Sequence, residues 1–324
     1  MRKIYFIINP KARDGYCLKI WQSIELKLKE MGLHYFALFT EYPGHAQKLS
    51  AQIAMKSREV NIIIAVGGDG TLHEVMNGII NNNDITLGFI PGGSGNDFSR
   101  GFQIPADPIE ALQVIYRLMK NDSPFIDTGK ITLNSHEEHY FVNNMGAGFD
   151  ALISYEVNQS NMKSLLNKLS LGRLVYAFIL LKKLFTYDCS TISLMIDGKK
   201  HIFEQTWFVT VSNQPFYGGG MKISPSAIPD DGLLDVTVVH LLSKIKLLFV
   251  FLSVFWGKHT HFKEVKMFKG RAISIHSSSK LFVHADGEFI GHTPLTIQVQ
   301  PNSLRVLTRR QGKREIELKR EEFE

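Results

Sequence analysis

The run Asn61-Ile62-Ile63-Ile64-Ala65-Val66, followed at once by Gly67-Gly68-Asp69-Gly70-Thr71, constrains this chain more than any other stretch. A short, β-branched, apolar run bounded by glycines reads as a strand buried on both faces. Burial on both faces is the habit of parallel strands, which need crossover helices to join them. The neighbouring sequence supplies those helices. Ile4–Ile8, Tyr35–Phe39 and Thr86–Ile90 read as further strands. Leu18–Glu30, Ala46–Met55, Thr71–Ile80 and Pro108–Met119 read as helices, the last with Asp107 as its N-cap. Strict alternation predicts an N-terminal α/β domain whose parallel sheet is covered on both faces.

The pattern changes at the turn-rich Asn121-Asp122-Ser123-Pro124. Strands then become more frequent, at Lys130–Leu133, Tyr140–Asn143, Thr191–Ile196, Trp207–Val211, Asp235–Val239, Ala272–His276, Leu281–Ala285, Leu295–Val299 and Leu304–Leu307. They predict a C-terminal antiparallel β-sandwich. At roughly 100–200 residues per domain, 324 residues suit two cores. The expected division is 1–124 for a nucleotide-binding domain and 125–307 for the β-sandwich, with the charged tail 308–324 packing back on the first domain.

Two apolar helical stretches interrupt the strands, around Leu165–Phe185 and Leu241–Trp256. Neither reaches the roughly 18 uninterrupted apolar residues of a membrane span, so the chain is not expected to cross a membrane. The plainer reading makes them core helices of the β domain. The functional reading gives one of them, Leu241–Trp256 by preference, a face that dips into lipid, while Lys182, Lys183, Lys244, Lys246 and Lys258 meet head groups. The apolar start after Met1-Arg2-Lys3 is too short for a signal peptide and reads as the first strand.

A net charge of +6 suits anionic partners, but there is no nucleic-acid-binding motif and no such partner is expected. Cys17 and Cys189 are far apart and lack metal-ligand spacing, which points to a reducing compartment. His45, His73 and His259 are read as structural. Glu74 and Asn77 follow His73 on its helix but make no metal motif.

Two glycine-rich loops carry the chemistry. Gly67–Thr71 stands between a buried strand and a helix, at the strand end where open parallel sheets bind ligands. Glycines there let backbone approach a phosphate, and the following helix aims its free N–H groups at it. Asp69 can meet Mg²⁺ or orient a hydroxyl. The second loop, Pro91-Gly92-Gly93-Ser94-Gly95-Asn96-Asp97-Phe98-Ser99-Arg100, again follows a strand and reads as an anion-binding nest. Together they predict one continuous phosphate cradle. Further on, Val283–Phe289 reads locally as a hairpin with Asp286-Gly287 as its turn.

These motifs, in order, resemble the diacylglycerol kinase catalytic-domain family, which includes bacterial lipid kinases and sphingosine kinases. Asn9-Pro10, Thr40 with Gly44-His45-Ala46, Gly67–Thr71, Pro91–Arg100, Asp127 with Gly129, Phe141–Asp150, Val211-Ser212-Asn213, Gly218-Gly219-Gly220, Asp230–Asp235 and Asp286-Gly287-Glu288 carry the resemblance over roughly Lys3 to Leu307. Gly67–Thr71 alone is shared with NAD kinases; the second loop and the late Asp-Gly-Glu select the lipid-kinase branch. The resemblance implies an ATP-binding α/β domain, a β-sandwich domain and an active site in the cleft between them. It implies that Asn9, Thr40, Gly67, Gly68, Gly70, Thr71, Gly93 and Ser94 hold nucleotide. Asp69 and Asp97 would lie near the transferred phosphate and magnesium. Asp286 would be the general base with Glu288 beside it, and Asp231 would belong to a structural magnesium site. This chain departs from the family in having Lys11-Ala12-Arg13-Asp14-Gly15 where Ser-Gly often follows Asn-Pro, and Ser94 where Thr is common.

The expected activity is transfer of the γ-phosphate of ATP, with Mg²⁺, to a lipid hydroxyl. Diacylglycerol is the first reading; phosphatidylglycerol, an isoprenoid alcohol and a long-chain base stay open. A cytoplasmic protein peripheral to the inner, anionic face of the membrane is expected, with a homodimer as a further expectation. The alternatives are a kinase of a soluble substrate such as NAD and a catalytically silent lipid- or nucleotide-binding protein.

Overall fold

The computed structural model describes residues 3–56, 61–134, 136–159 and 172–309, with backbone alone over 172–178. Two compact units emerge. Residues up to Thr128 together with those from Pro301 make the first, and Gly129–Gln300 make the second. Both boundaries fall inside strands, Phe125–Leu133 and Leu295–Val306.

The first unit alternates as the sequence predicts: β1 (Ile4–Ile8), α1 (Tyr16–Glu30), β2 (Phe36–Phe39), α2 (His45–Lys56), β3 (Asn61–Gly67), α3 (Asp69–Ile79), β4 (Ile85–Pro91), α4 (Asp97–Gly101) and α5 (Pro108–Leu118). Its sheet runs β2-β1-β3-β4 with every pair parallel, and Arg305–Val306 add parallel to β4. β3 and β4 are buried throughout, as crossover helices on both faces require. Phe6, Ile8, Ile64 and Phe89 are fully buried in this core. Asp107 caps α5, accepting from Ile109 N and Glu110 N, with Pro108 at the first helical position. The helix α4 lies inside the second glycine loop, where the sequence reads only loop.

The second unit is β5 (Phe125–Leu133), β6 (Glu138–Phe141), β7 (Asn144–Gly148), α6 (Phe149–Gln159), α7 (Gly172–Thr186), β8 (Ser190–Ile196), β9 (Lys199–Ser212), β10 (Phe216–Tyr217), β11 (Met221–Lys222), β12 (Leu234–His240), α8 (Lys244–Val254), β13 (Val265–Gly270), β14 (Ala272–Ser277), β15 (Phe282–Ala285), β16 (Glu288–His292) and β17 (Leu295–Val306). Its strands pair antiparallel in the order β16-β15-β7-β9-β8-β14-β17, and β12 joins β9 to β13. β9 pairs with β8 through its first half and with β7 and β12 beyond Thr206; Gln205 at that bend has a left-handed φ of 46°. One core gathers Phe141, Met145, Leu194, Val211, Val236 and Val283. A second packs α6, α7 and α8 around Trp207, whose Nε1 donates to Leu242 O at 2.9 Å.

Five strands, β7, β10, β11, β13 and β16, are absent from the sequence reading. β7 (Asn-Met-Gly-Ala-Gly) lacks β-branched residues yet is fully buried between two partners, because its glycines leave room for neighbours. β13 and β16 are strands by their pairing rather than by their composition. Leu295–Val299 and Leu304–Leu307 are one strand. Pro301 stands between the segment paired with β14 and the segment paired with β4. The expected tail beyond Arg309, and the expected helix before Gly172, lie outside the described residues.

Candidate active site

In the first unit, successive connections run outward in opposite directions from β1 and β3. The chain goes from β1 to β2 on one side and from β3 to β4 on the other. Their carboxyl ends flank the topological switch point where open α/β sheets bind ligands. Asn9 follows β1 and Gly67 ends β3. Asn9 N donates to Val66 O at 3.0 Å and Asn9 Nδ2 to Thr71 Oγ1 at 3.1 Å, which ties the two strand ends together. Thr40, buried, follows β2 beside them, its N donating to Ile8 O at 2.8 Å.

α3 starts directly after Gly68, with no side chain capping its first turn. Its leading N–H groups and positive end therefore face outward for an anion. The second loop closes against it. Gly92 N donates to Gly67 O at 2.7 Å, and a Cβ on Gly68 would stand 3.3 Å from Gly93 Cα. A Cβ on Gly93 would collide with Gly68, so only glycine lets the loops touch. Asn96, left-handed at φ 54°, braces this loop by accepting from Gly93 N and donating to Gly93 O. Asp69 ties the loops by charge-assisted bonds, accepting from Asp97 N and Phe98 N, each at 3.2 Å. Arg100 donates to Asp97 Oδ1 at 3.0 Å and to the Gly95 carbonyl. Asn9, Gly67, Gly68, Gly70, Thr71, Gly93, Asp69 and Asp97 are thus drawn into one cradle. Ser94 lies on its exposed rim.

In the second unit, Asp286 and Gly287 form the two-residue turn between β15 and β16, with φ of 49° and 89°. The local hairpin reading of the backbone holds. The side chain does more: Asp286 accepts from Val142 N at 3.0 Å, Asn143 N at 2.9 Å and Asn144 N at 3.1 Å. Its carboxylate is therefore fixed by backbone donors of the segment entering β7. Glu288 beside it is exposed.

Behind this turn lies a buried polar group. His284 Nδ1 accepts from Gly287 N at 3.2 Å, so the neutral ring carries its proton on Nε2. That nitrogen lies 3.1 Å from the Tyr217 hydroxyl and 3.5 Å from Asp150 Oδ2. Asp150 is buried, and neither of its carboxylate oxygens accepts a hydrogen bond among the described residues. It borders a cavity of about 60 Å³ whose wall is otherwise mostly apolar, with Phe149, Leu180, Phe208, Val250 and Phe251 among its lining. His259 also borders it, as a structural residue: its Nε2 donates to Ile223 O at 2.9 Å, and burial pushes its pKa down.

A family model described as "Diacylglycerol kinase catalytic domain" matches residues 3–131, and one described as "YegS C-terminal NAD kinase beta sandwich-like domain" matches residues 143–308. The chain belongs to the diacylglycerol kinase catalytic-domain family. Among its relatives is the Bacillus subtilis (strain 168) protein named "Putative lipid kinase YtlR", 35% identical over 94% of this chain and 99% of that one. A Staphylococcus aureus (strain JH9) protein named diacylglycerol kinase is 32% identical over 90% of this chain and 88% of its own. A solved structure from Bacillus anthracis str. Sterne, described as that of a "putative diacylglycerol kinase", superposes with a TM-score of 0.73 at 25% identity, covering 95% of this chain and 97% of that one.

One residue expected from the family to hold a metal has a basic neighbour in the fold. Asp231 was expected at a structural magnesium site. Its Oδ1 accepts from Leu233 N at 3.0 Å, and the Lys269 ammonium stands 3.5 Å from its Oδ2 and 3.1 Å from Asp235 Oδ2. A lysine supplies positive charge beside both carboxylates in this arrangement. No cluster of three metal-ligating side chains forms among the described residues.

Sequence reasoning missed other polar contacts around these segments. Glu74 accepts from Gly44 N at 2.8 Å and Ala46 N at 3.0 Å, holding the turn that opens α2. Nothing local marks this role, since the partners are about thirty positions away. Asp150, Tyr217 and His284 come from separate strands and a helix and meet only in the fold. Cys17 packs under Gly92, and burial pushes its thiol up to about 11, which makes it a packing residue rather than a nucleophile.

Proposed function

We propose that this protein is an ATP- and magnesium-dependent lipid kinase whose preferred acceptor is diacylglycerol and whose product is phosphatidic acid. The observation that carries the lipid assignment is the apolar cavity with the Asp150 carboxylate at its border. A soluble, polyanionic acceptor such as NAD has no use for such a wall, whereas an acyl chain does. Relatives named diacylglycerol kinase support the same acceptor.

The chain's own residues perform the following steps. The uncapped start of α3 and the Gly67–Gly70 and Gly93 backbone hold the phosphates, and Asn9, Thr40 and Thr71 set the nucleotide's position. Asp69 and Asp97, adjacent at the loop junction, are the carboxylates that would hold magnesium. When bound, magnesium neutralises charge on the β- and γ-phosphates. Asp286 accepts the acceptor's hydroxyl proton. The new O–P bond forms as the bond from the γ-phosphorus to the β,γ-bridging oxygen breaks, and ADP leaves. The Val142–Asn144 amides keep the carboxylate oriented throughout.

The test is transfer of labelled γ-phosphate from ATP to diacylglycerol in mixed micelles with Mg²⁺, with NAD offered separately. The wild type labels diacylglycerol, and Asp286→Asn loses about 10²-fold or more in turnover while still binding ATP. Labelling of NAD alone assigns a soluble acceptor. ATP binding with no acceptor labelled makes the protein a non-catalytic sensor.

A further inference from the structure

α8 carries apolar side chains on both of its faces. Inward, Leu247, Val250 and Val254 are buried and line the cavity. Outward, Ile245, Phe249 and Leu252 are 67%, 65% and 56% exposed, and Trp256 just past the helix end is 70% exposed. These four recur at i, i+4, i+7 and i+11, which makes one continuous stripe. A surface helix of a globular protein turns polar residues outward. A helix apolar all round requires a second apolar phase.

The charges around the stripe identify that phase. From Leu241 through Lys263 there is no Asp or Glu, while Lys244, Lys246, Lys258 and Lys263 are present. Lys246 pairs with Glu264 at 2.6 Å, and Lys244 donates to Phe185 O at 2.6 Å, bringing the exposed Phe185 of α7 to the start of the stripe. Lys182, Lys258 and Lys263 are exposed. An apolar stripe ending in tryptophan and flanked by exposed lysines matches an anionic bilayer interface: the rings enter the acyl boundary and the ammonium groups meet phosphates.

We propose that Ile245, Phe249, Leu252 and Trp256 form a membrane-docking face for anionic bilayers. One helix then has the bilayer on its outer face and the apolar cavity on its inner face. This deepens the lipid-kinase reading and rests on it for its purpose.

The experiment uses the full chain without turnover. Binding is read by sedimentation with vesicles of phosphatidylcholine alone, or with about one-third phosphatidylglycerol. Trp21 and Trp207 are buried, so emission shifts on vesicle binding report Trp256. The wild type binds the anionic vesicles with a blue shift, and brominated acyl chains quench that emission. Phe249→Ser with Trp256→Ser weakens binding about tenfold or more, with the thermal transition retained. Lys258→Glu with Lys263→Glu weakens binding to the anionic vesicles only. Absence of wild-type binding, absence of quenching by brominated chains, or unchanged binding by the serine variant each overturns the proposal. A dimer that dissociates in the serine variant, with no vesicle binding, assigns the stripe to a second copy and also overturns it. Vesicle binding without diacylglycerol phosphorylation defeats the kinase reading and leaves the docking face standing; turnover in micelles without vesicle binding does the reverse.

Discussion

At the scale of single residues, the cradle depends on atoms that are missing. Gly68 and Gly93 touch Cα to Cα because neither has a side chain. Gly93→Ala is expected to push the loops apart. Nucleotide affinity should fall about tenfold or more and stability by about 1–3 kcal/mol. Calorimetric titration and thermal denaturation read the two effects; Ser94→Ala on the exposed rim is the control and should change stability little. Unchanged affinity in Gly93→Ala would detach this contact from nucleotide binding. The sequence marked these glycines as a phosphate loop but not their mutual contact, since residues 68 and 93 are brought together by β3 and β4. Asp286 teaches the same distinction. Its Asp-Gly turn was legible locally, whereas the backbone donors that fix its carboxylate lie more than a hundred positions earlier.

At the scale of elements, β12 and β13 show how a buried charge is held. Asp235 stands directly opposite Lys269 in the antiparallel ladder. Burial pushes the Asp235 carboxyl above the usual carboxylate range, opposed by bonds from Ser226 and Lys269. Lys269→Met removes the opposing cation and is expected to destabilise the unit by about 3 kcal/mol at neutral pH. A carboxyl whose folded pKa is raised penalises folding at high pH and not at low pH, so the deficit should shrink on acidification. Urea denaturation at several pH values reads this, and Asp235→Asn in the same chain should restore most of the loss. A deficit independent of pH would mean that Lys269 acts by packing its stem. Composition gave no sign of this pair, because β13 (Val-Lys-Met-Phe-Lys-Gly) becomes a strand only through its partner.

At the scale of the whole molecule, stability should depend on two histidines. Burial is the largest cause pushing the pKa of both His259 and His240 down. Their contribution is complete above the ordinary histidine value of about 6.5 and is lost as pH falls below it, because the unfolded chain then takes up protons more readily than the folded one. The melting temperature should drop on acidification through that value, and His259→Gln should flatten the drop; an identical slope would exclude His259 as a source. The sequence by itself determined the alternation of strand and helix, the change to antiparallel strands near Pro124, the two glycine loops and the family's motif order. Each of these is written in neighbouring residues through periodicity, turn chemistry and helix caps. Only the tertiary structure decided the switch point between β1 and β3, the inward turn of the Asp286 carboxylate, the Lys269 ammonium beside Asp231 and the division of α8 into two apolar faces. Those features depend on which distant strands pair and which helix face meets the sheet, and pairing across long separations leaves no local trace in the chain.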